Sequence, residues 1–492
     1  MYKFTALAAL AATVFAQSLD TDLQSAGFNS TFRLTSSQIA AANLTAKAVV
    51  NIENTVRFDQ SQLAFGGPAE DDFYTLPPLT NDTELEPGVL LKVQDFTNLS
   101  SYVLPPNTAL SRILYTTTNL NGTVLPASAF VLWPFYPKQF STSGVRNETG
   151  APVILWTHGT SGFFASHGPS AMRNLWYADA APFSLALSGY AVVAPDYAGL
   201  GIHESWDGSE IPHQYLMSRV SAHDALYSLR AAWDAFPGLL KNEFVAMGHS
   251  QGGGVAWGVS EVLAAEGDEM KDLVDGFRGT VSGSPTTDVF TGTPQFIVTW
   301  ISMFLDKIFP SFKQEYWVTD LGIARTKLQK EIEGGISVSQ TLYLDTDEKI
   351  VKDGYDQTWY VEAYGKLANV GQTPFLGPMI VIQGTNDIYI PYEVTNKTVG
   401  DNCAYITENN LDGDLEFLVV NGTGHVPTLD ATRPIWMQWI EDRFEGKPVK
   451  NGGCVRTDLD SFLPLERYLA VGNSYVQWAG GDDHWFETVL GL

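Results

Sequence analysis

A short apolar run followed by a glycine-flanked serine constrains this chain more than any other stretch. Residues 244–247 (FVAM) are long enough for a buried strand, and the motif GHSQG follows at once at 248–252. Residues 253–266 are rich in small and apolar side chains and predict a helix. Strand, Gly-x-Ser-x-Gly and helix in succession are typical of a sharp turn that presents a nucleophilic serine. We therefore predict Ser250 as a nucleophile.

The same turn explains the residues around the serine. It strains the serine backbone, so bulky side chains two positions away on each side would collide. We therefore interpret Gly248 and Gly252 as residues that the turn requires because they lack a side chain. It also places Ser250 at the N-terminus of the helix, where free N–H groups favour negative charge. The backbone N–H of Gln251 is then a predicted oxyanion donor. The alternative interpretation is a glycine-rich turn with an idle serine.

Apolar runs alternate with helical patterns around this turn. Two β-rich runs joined by the hairpin signal NLNG at 119–122 come first. Four short apolar runs then mark strands: PVILW (152–156), YAVVA (190–194), PMIVIQ (378–383) and LEFLVV (415–420). Continuous apolar strands that alternate with helices predict an α/β fold, with a mostly parallel sheet covered by helices on both faces.

Two further strand ends carry residues that could activate a serine. A serine hydroxyl needs a base to take its proton and a carboxylate to orient that base. Asp387 follows the strand PMIVIQ, and His425 follows LEFLVV. Chemistry in open parallel sheets gathers at the carboxyl ends of strands, and the order Ser, Asp, His is that of an α/β-hydrolase. We predict Ser250, Asp387 and His425 as the catalytic triad.

Alternatives to the acid and the base stay open at this point. Asp412, Asp414 and Asp430 lie near Asp387 in sequence, and a solvated acid is the commoner fate of an aspartate. Seven other histidines compete with His425. A second oxyanion donor should come from the loop after PVILW, where the N–H of Thr160 is the candidate.

The chain divides by pattern into a core and four other segments. The strand-helix alternation stops between 284 and 371, where 296–309 and 314–335 are helix candidates, so we interpret this block as an inserted helical cap. The predicted segments are a signal peptide (1–16), an N-terminal arm (17–87), the core (88–283 and 372–445), the cap or lid (284–371) and a C-terminal tail or flap (446–492).

The N-terminus predicts export. Residues 1–16 contain Lys3, an apolar stretch and a terminal Val14-Phe15-Ala16 cleavage signal, and the stretch is too short to span a bilayer. We expect a secreted protein without a stable membrane anchor. Candidate glycosylation sequons lie at Asn29, Asn43, Asn81, Asn98, Asn121, Asn147, Asn396 and Asn421.

Cys403 and Cys454 are the two cysteines of the chain. In an oxidising compartment the simplest interpretation is one disulfide bond. In the chain-entropy model this bond would raise the free energy of unfolding by about 4 kcal/mol. The alternative is a pair of buried free thiols.

Composition excludes some classes of function. A net charge of −26 argues against nucleic-acid binding, which needs clustered Lys and Arg. No metal-binding motif and no phosphate-binding loop is found in the sequence, so we expect neither a metal nor another cofactor. We expect a monomer.

Several of these stretches together resemble a known family. The motifs are SRILY (111–115), the turn 119–122, FVLWP (130–134), HGT (158–160), APDYAGLG (194–201), GHSQG (248–252), GTND (384–387) and GH (424–425). With them the chain, from 88 to 444, is similar to the fungal and bacterial secretory lipases of the α/β-hydrolase fold, of the yeast lipase A type. The resemblance implies hydrolysis of acyl-lipid esters, a helical cap over the site and a C-terminal flap.

The expected function is therefore that of a serine ester hydrolase, a lipase or a carboxylesterase. Its partner would be a small-molecule or lipid ester, with possible contact to a lipid interface. A peptidase or an acyltransferase could use the same triad, and a non-catalytic binding protein could share the fold. The apolar helix predicted at 296–309 is also open to two interpretations, as packed core or as the wall of an acyl tunnel.

Overall fold

Alternation along the central strands divides the core between two faces of one sheet. Val153 and Leu155 pack into the apolar cluster on one face, and Ile154 and Trp156 pack into the cluster on the other. All four side chains are fully buried. Because successive side chains of a strand point to opposite faces, a continuous apolar run indicates a sheet that is covered on both sides.

The computed structural model describes residues 30–79, 85–140, 150–267, 269–371, 373–409, 411, 413–450 and 452–469. The signal peptide predicted for 1–16 and the sequons at Asn29, Asn81 and Asn147 lie outside these residues. In the described residues ten strands form one sheet. They are β1 (Leu90–Gln94), β2 (Ala109–Thr118), β3 (Val124–Trp133), β4 (Ala151–Thr157), β5 (Ala191–Pro195), β6 (Leu240–His249), β7 (Phe277–Gly283), β8 (Met379–Gly384), β9 (Leu415–Val420) and β10 (Cys454–Leu459).

The strand order is β1-β2-β3-β5-β4-β6-β7-β8-β9-β10. The first three strands and β5 pair antiparallel, and every pair from β5 to β10 is parallel. The predicted hairpin turn at 119–122 joins β2 to β3. The predicted α/β fold with a mostly parallel sheet is thus confirmed.

Helices cover both faces of this sheet and fill the segment between β7 and β8. Those in the described residues are α1 (Ser36–Ala41), α2 (Ala46–Ser61), α3 (Pro182–Leu187), α4 (Ser218–Ala235), α5 (Gln251–Ala265), α6 (Lys271–Gly276), α7 (Gln295–Ser302), α8 (Leu305–Ile308), α9 (Asp320–Glu331), α10 (Ile336–Leu344), α11 (Trp359–Ala368), α12 (Tyr392–Glu408), α13 (Pro427–Ala431), α14 (Arg433–Phe444) and α15 (Leu465–Leu469). Helices α4 and α5 share one apolar cluster with the sheet, and α14 shares the other.

The helices between β7 and β8 differ in their bounds from those predicted. The single helix expected at 296–309 is divided between α7 and α8, because the backbone of Phe304 leaves the helical conformation where Met303 and Phe304 are both buried. The helix expected at 314–335 begins later, at Asp320, where the hydroxyl of Thr319 caps it by accepting from the N–H of Gly322.

The first two helices pack on these inserted helices. Ile52 and Val56 of α2 belong to the same apolar cluster as Val338 and Leu342 of α10. The buried Arg325 of α9 donates hydrogen bonds to the carbonyl of Ala42 at 3.1 Å and to that of Asn43 at 3.2 Å. The N-terminal arm is therefore part of the helical layer formed by α7 to α11.

The segment predicted as a C-terminal tail (446–492) contains a strand. Strand β10 pairs parallel to β9, which would otherwise end the sheet with an unpaired edge. Cys454, the first residue of β10, forms a disulfide bond with Cys403 of α12. The predicted disulfide is present, and it ties this added strand to the helix that precedes β9.

Five predicted sequons lie in the described residues. Asn43, Asn98 and Asn121 are exposed, and Asn396 and Asn421 are half-buried. No described helix has both the length and the apolar character needed to cross a membrane.

Candidate active site

Ser250 lies between the end of β6 and the start of α5. Its backbone has φ 60° and ψ −123°, a conformation that non-glycine residues rarely adopt. Its N–H donates to the carbonyl of Gly283 on the neighbouring strand β7 at 2.9 Å, which fixes the turn against the sheet. The structure thus has the sharp strand-to-helix turn that the sequence predicts.

Close packing around Ser250 explains the predicted glycines. A Cβ on Gly248 would collide with the carbonyl of Gly252 and with Thr157, and one on Gly252 would collide with the carbonyl of Thr157. A Cβ on Gly159 would come within 3.1 Å of the Cβ of Ser250. Because these glycines carry no side chain, the loop after β4 can lie directly against the serine.

His425 and Asp387 meet where β8 and β9 end. The Nδ1–H of His425 donates to Oδ2 of Asp387 at 2.7 Å. The other carboxylate oxygen accepts from the backbone N–H groups of Tyr389 at 2.9 Å and Ile390 at 3.0 Å. Burial would raise the pKa of the Asp387 carboxyl, but His425 and these N–H groups outweigh it and hold that pKa below its usual range.

The other candidate acids lie in different surroundings. Asp430 is paired with Arg433, and Asp414 accepts from the N–H of Gly453 at 2.7 Å. Asp412 is outside the described residues. Of the aspartates considered from the sequence and described in the structure, Asp387 is the one bonded to His425.

The predicted oxyanion residues are also adjacent. Gln251 is the first residue of α5, so its backbone N–H has no partner within the helix. The hydroxyl of Thr160 donates to Oε1 of Gln251 at 3.1 Å and bonds to the hydroxyl of Tyr215 at 3.0 Å. The Gln251 amide donates in turn to His213 Nε2 at 3.3 Å. These bonds join the loop after β4 to the start of α5.

One cavity of about 70 Å³ lies between these groups. Ser250, His425 and Thr160 line it. The remaining lining is mainly apolar and aromatic, and includes Trp176, Tyr177, Tyr215, Leu216, Val289, Ile297, Trp300, Ile336, Ile390 and Val426. The serine hydroxyl, the His425 imidazole and Thr160 thus border one small space with mainly apolar walls.

Comparisons with known proteins identify the family and the fold. The sequence model of the Alpha/beta hydrolase family matches residues 153–435, which is more than half of the chain. The chain belongs to the alpha/beta hydrolase family. The match begins within β4 and ends in α14, so it contains the strand ends that carry Ser250, Asp387 and His425.

Two named relatives of this α/β-hydrolase are fungal lipases. It is 25% identical to Lipase 6 of Candida albicans over 80% of this chain and 86% of that protein. It is 24% identical to the secreted triacylglycerol lipase LIP5 of Malassezia restricta over 58% of this chain and 56% of that protein. The resemblance to the fungal lipase type is confirmed.

A solved structure shows the same fold. Candida antarctica lipase A in its closed state matches with a TM-score of 0.59 and 15% identity, over 86% of this chain and 93% of that chain. At this level of identity the likeness concerns the fold.

Sequence reasoning missed three side chains of this α/β-hydrolase that surround His425. The Nε2–H of His249 donates to the backbone carbonyl of His425 at 3.1 Å, and the hydroxyl of Ser284 donates to the same carbonyl at 3.2 Å. The Tyr177 hydroxyl donates to Nδ1 of His249 at 2.7 Å. For His249 the available sequence signal is its position in the motif, next to the serine. Tyr177 and Ser284 lie in loops that contain no such motif.

The buried histidines of the site are neutral near pH 7. Burial and the neighbouring His425 lower the pKa of His249 to about 3. Burial lowers the pKa of His158 and of His213 to about 4. The ring nitrogens of His158 lie 2.8 Å from the carbonyl oxygen of Gly159 and 3.2 Å from that of Asp196, and the single N–H of the neutral ring donates to one of the two. These histidines hold loops in place, and their contacts differ from the carboxylate contact of His425.

Proposed function

We propose that this α/β-hydrolase is a secreted serine hydrolase that cleaves carboxylic esters, a lipase or a carboxylesterase. The observation that carries the proposal is the placement of Ser250 and His425 on one cavity, with His425 bonded to the buried Asp387. A serine hydroxyl, an imidazole and a buried carboxylate bonded to that imidazole are the groups that acyl transfer by a serine hydrolase requires.

The first half of the reaction forms an acyl-enzyme. Ser250 Oγ attacks the ester carbonyl carbon, and its proton passes to Nε2 of His425. The N–H groups of Gln251 and Thr160 donate to the oxyanion that forms on the carbonyl oxygen. The carbon–oxygen bond to the alcohol then breaks, and the alcohol leaves with the proton from Nε2.

The second half returns the enzyme to its starting state. A water molecule gives its proton to Nε2 of His425 and attacks the acyl carbon. Collapse of this second intermediate releases the carboxylic acid and returns the proton to Ser250 Oγ. Throughout, Asp387 accepts from Nδ1–H, which keeps Nε2 free to take a proton and stabilises the imidazolium that forms.

Two further observations support the ester substrate and export. The relatives named as lipases include one named as secreted, and the apolar cavity walls suit an acyl group. We assign α7 to α11 the role of a cap over Ser250, because Val289, Ile297, Trp300 and Ile336 of the segment 284–371 line its cavity. The flap expected within the segment 446–492 would exclude β10, which belongs to the sheet.

Hydrolysis of p-nitrophenyl esters from acetate to palmitate tests the proposal. Ser250→Ala should lose about 10³-fold or more in kcat, whereas Ser209→Ala, in an exposed loop, should match the wild type. A rate that rises with chain length would indicate a lipase, and one that peaks at short chains a carboxylesterase. If no ester gives a Ser250-dependent rate, a peptidase, an acyltransferase or a non-catalytic relative becomes the better account.

A further inference from the structure

A second, larger cavity adjoins the one that contains Ser250. It has a volume of about 500 Å³ and lies between α2, the start of α10 and the loop that follows β4. Trp176 and Ile336 line both cavities, so the two cavities meet at these side chains. The catalytic cavity, at about 70 Å³, is the smaller of the two.

His167 presents a hydrogen-bond donor to the larger cavity. His167 is buried, with 5% of its surface exposed, and it lines this cavity. The N–H of Phe164 donates to Nδ1 at 3.3 Å, and burial lowers the pKa of His167 to about 4. A neutral ring that accepts at Nδ1 carries its proton on Nε2. Among the described residues this Nε2–H has no hydrogen-bond partner.

Asp59 lies beside this donor. A Cβ on Gly335 would be 2.9 Å from His167 Nε2 and 3.3 Å from Asp59 Oδ2, so both groups border the space that this glycine leaves open. Asp59 is half-buried, lines the same cavity and has no side-chain hydrogen bond to another described residue. Burial raises the pKa of Asp59 to about 7, so near neutrality its carboxyl can donate as well as accept.

The charges around the cavity narrow the class of ligand. Its lining includes the carboxyl groups of Glu331 and Glu333, and none of the described residues that line it is Lys or Arg. A phosphate or a free carboxylate would therefore be repelled. An alkyl chain would leave the His167 donor and the Asp59 carboxyl unpaired, at a cost in binding. Neutral hydroxyl groups would pair with both.

We propose that this polar cavity binds the hydroxyl-bearing alcohol part of the ester, a polyol of the glycerol class, while the apolar cavity holds the acyl group beside Ser250. The inference rests on the proposed function, because it assigns the two parts of an ester to two cavities. His167 and Asp59 are then specificity residues for the alcohol, and Gly335 keeps their hydrogen-bonding space open.

Two esters that share an acyl group test the assignment by kinetics. In the wild type, glycerol monobutyrate should have a higher kcat/KM than methyl butyrate. His167→Phe, Asp59→Leu and Gly335→Ala should each lower the ratio of the two kcat/KM values by about three- to tenfold, as expected for one lost hydrogen bond, with methyl butyrate changed less than about twofold. Asp59→Asn, which keeps a donor and an acceptor, should retain the preference.

Lys47→Gln, an exposed substitution on the same helix as Asp59, is the matched control and should leave both rates unchanged. The assignment is overturned if the ratio stays constant in His167→Phe and Asp59→Leu, or if both esters lose activity equally. It is also overturned if these variants change the chain-length preference among methyl esters, because the cavity would then hold the acyl chain.

Binding of an ether separates this inference from the proposed reaction. The ether 1-O-butylglycerol cannot be hydrolysed, and its contact with the protein can be followed by saturation-transfer NMR beside butyl methyl ether. If the glycerol ether binds to the wild type, and if Asp59→Leu and His167→Phe each abolish that binding, the inference is supported even if no ester is cleaved. Equal binding of both ethers, or binding that these variants do not change, overturns it.

Discussion

At the scale of single residues, His425 is held at two points. Its ring bonds to Asp387, and its backbone carbonyl accepts from His249 and Ser284. His249 can donate from Nε2 because its Nδ1 accepts from the Tyr177 hydroxyl, and because burial keeps the ring neutral. The side chain next to Ser250 in sequence therefore positions His425 across the site.

Removing one hydroxyl tests this support. Tyr177→Phe should lower kcat about three- to tenfold with little change in KM, because the lost hydroxyl loosens His249 and hence His425, while the aromatic ring that lines the cavity is kept. Steady-state kinetics on p-nitrophenyl butyrate measure both constants.

Tyr190→Phe is the matched control for this substitution. Its hydroxyl is buried and has no hydrogen-bond partner among the described residues, so its removal should leave kcat unchanged. Equal kinetic effects of the two substitutions, or a change in Tyr177→Phe confined to KM, would contradict the positioning role.

At the scale of elements, a buried carboxylate connects α4 to the sheet. Asp224 of α4 accepts from the hydroxyl of Thr117 on β2 at 2.7 Å and from the N–H of Ala198, after β5, at 3.1 Å. Burial raises the pKa of Asp224 to about 7 despite these donors. The charged form is therefore less favourable in the folded protein than in the unfolded chain.

The sign of this shift gives a prediction for stability. Between pH 4 and about 7 the folded protein holds a proton on Asp224 that the unfolded chain has lost, so this residue's contribution to the free energy of unfolding falls as pH rises. Asp224→Asn removes the dependence. The stability of the variant relative to the wild type should therefore increase from pH 5 to pH 8. The increase is up to about 1.4 kcal/mol per pH unit below about pH 7, where the wild type still holds the proton on Asp224.

Urea unfolding at the two pH values measures the difference. Asp234→Asn on the same helix is the control, because Asp234 is exposed and its substitution should shift stability equally at both pH values. A relative stability of Asp224→Asn that is constant or falls with pH would show that Asp224 is not the source of the dependence.

Strand ends explain why much of the site could be predicted. Ser250, Asp387 and His425 each follow an apolar run, and parallel strands bring their carboxyl ends to one edge of the sheet. Strand β10 could not be predicted in this way, because its residues are mostly exposed and lack the apolar run of a central strand. The packing of α2 on α10 rests on Ile52 and Val56, a contact that only the folded chain reveals.

At the scale of the whole molecule, a disulfide closes the end of the sheet. Cys403 of α12 and Cys454 of β10 join the last described strand to the body of the protein. Replacing both cysteines by serine should lower the free energy of unfolding by about 2–4 kcal/mol, because the unfolded chain gains conformational freedom. Urea unfolding followed by tryptophan fluorescence measures the change.

Activity should respond differently from stability in this variant. Strand β10 lies four strands from β6, which carries the turn at Ser250, so ester hydrolysis at 25 °C should stay within about twofold of the wild type. Unchanged stability would contradict the structural role of the bond, and a large loss of activity in a folded variant would contradict its separation from the site.

The central claim is that Ser250 is a nucleophile activated by His425. Labelling with a fluorophosphonate, followed by mass spectrometry of the digested chain, tests it most directly. We expect one phosphonate per folded chain, on the peptide that contains Ser250, with much slower labelling in His425→Ala and none at this position in urea-unfolded protein. A folded wild type that stays unlabelled, or that is labelled at another residue, would contradict the claim.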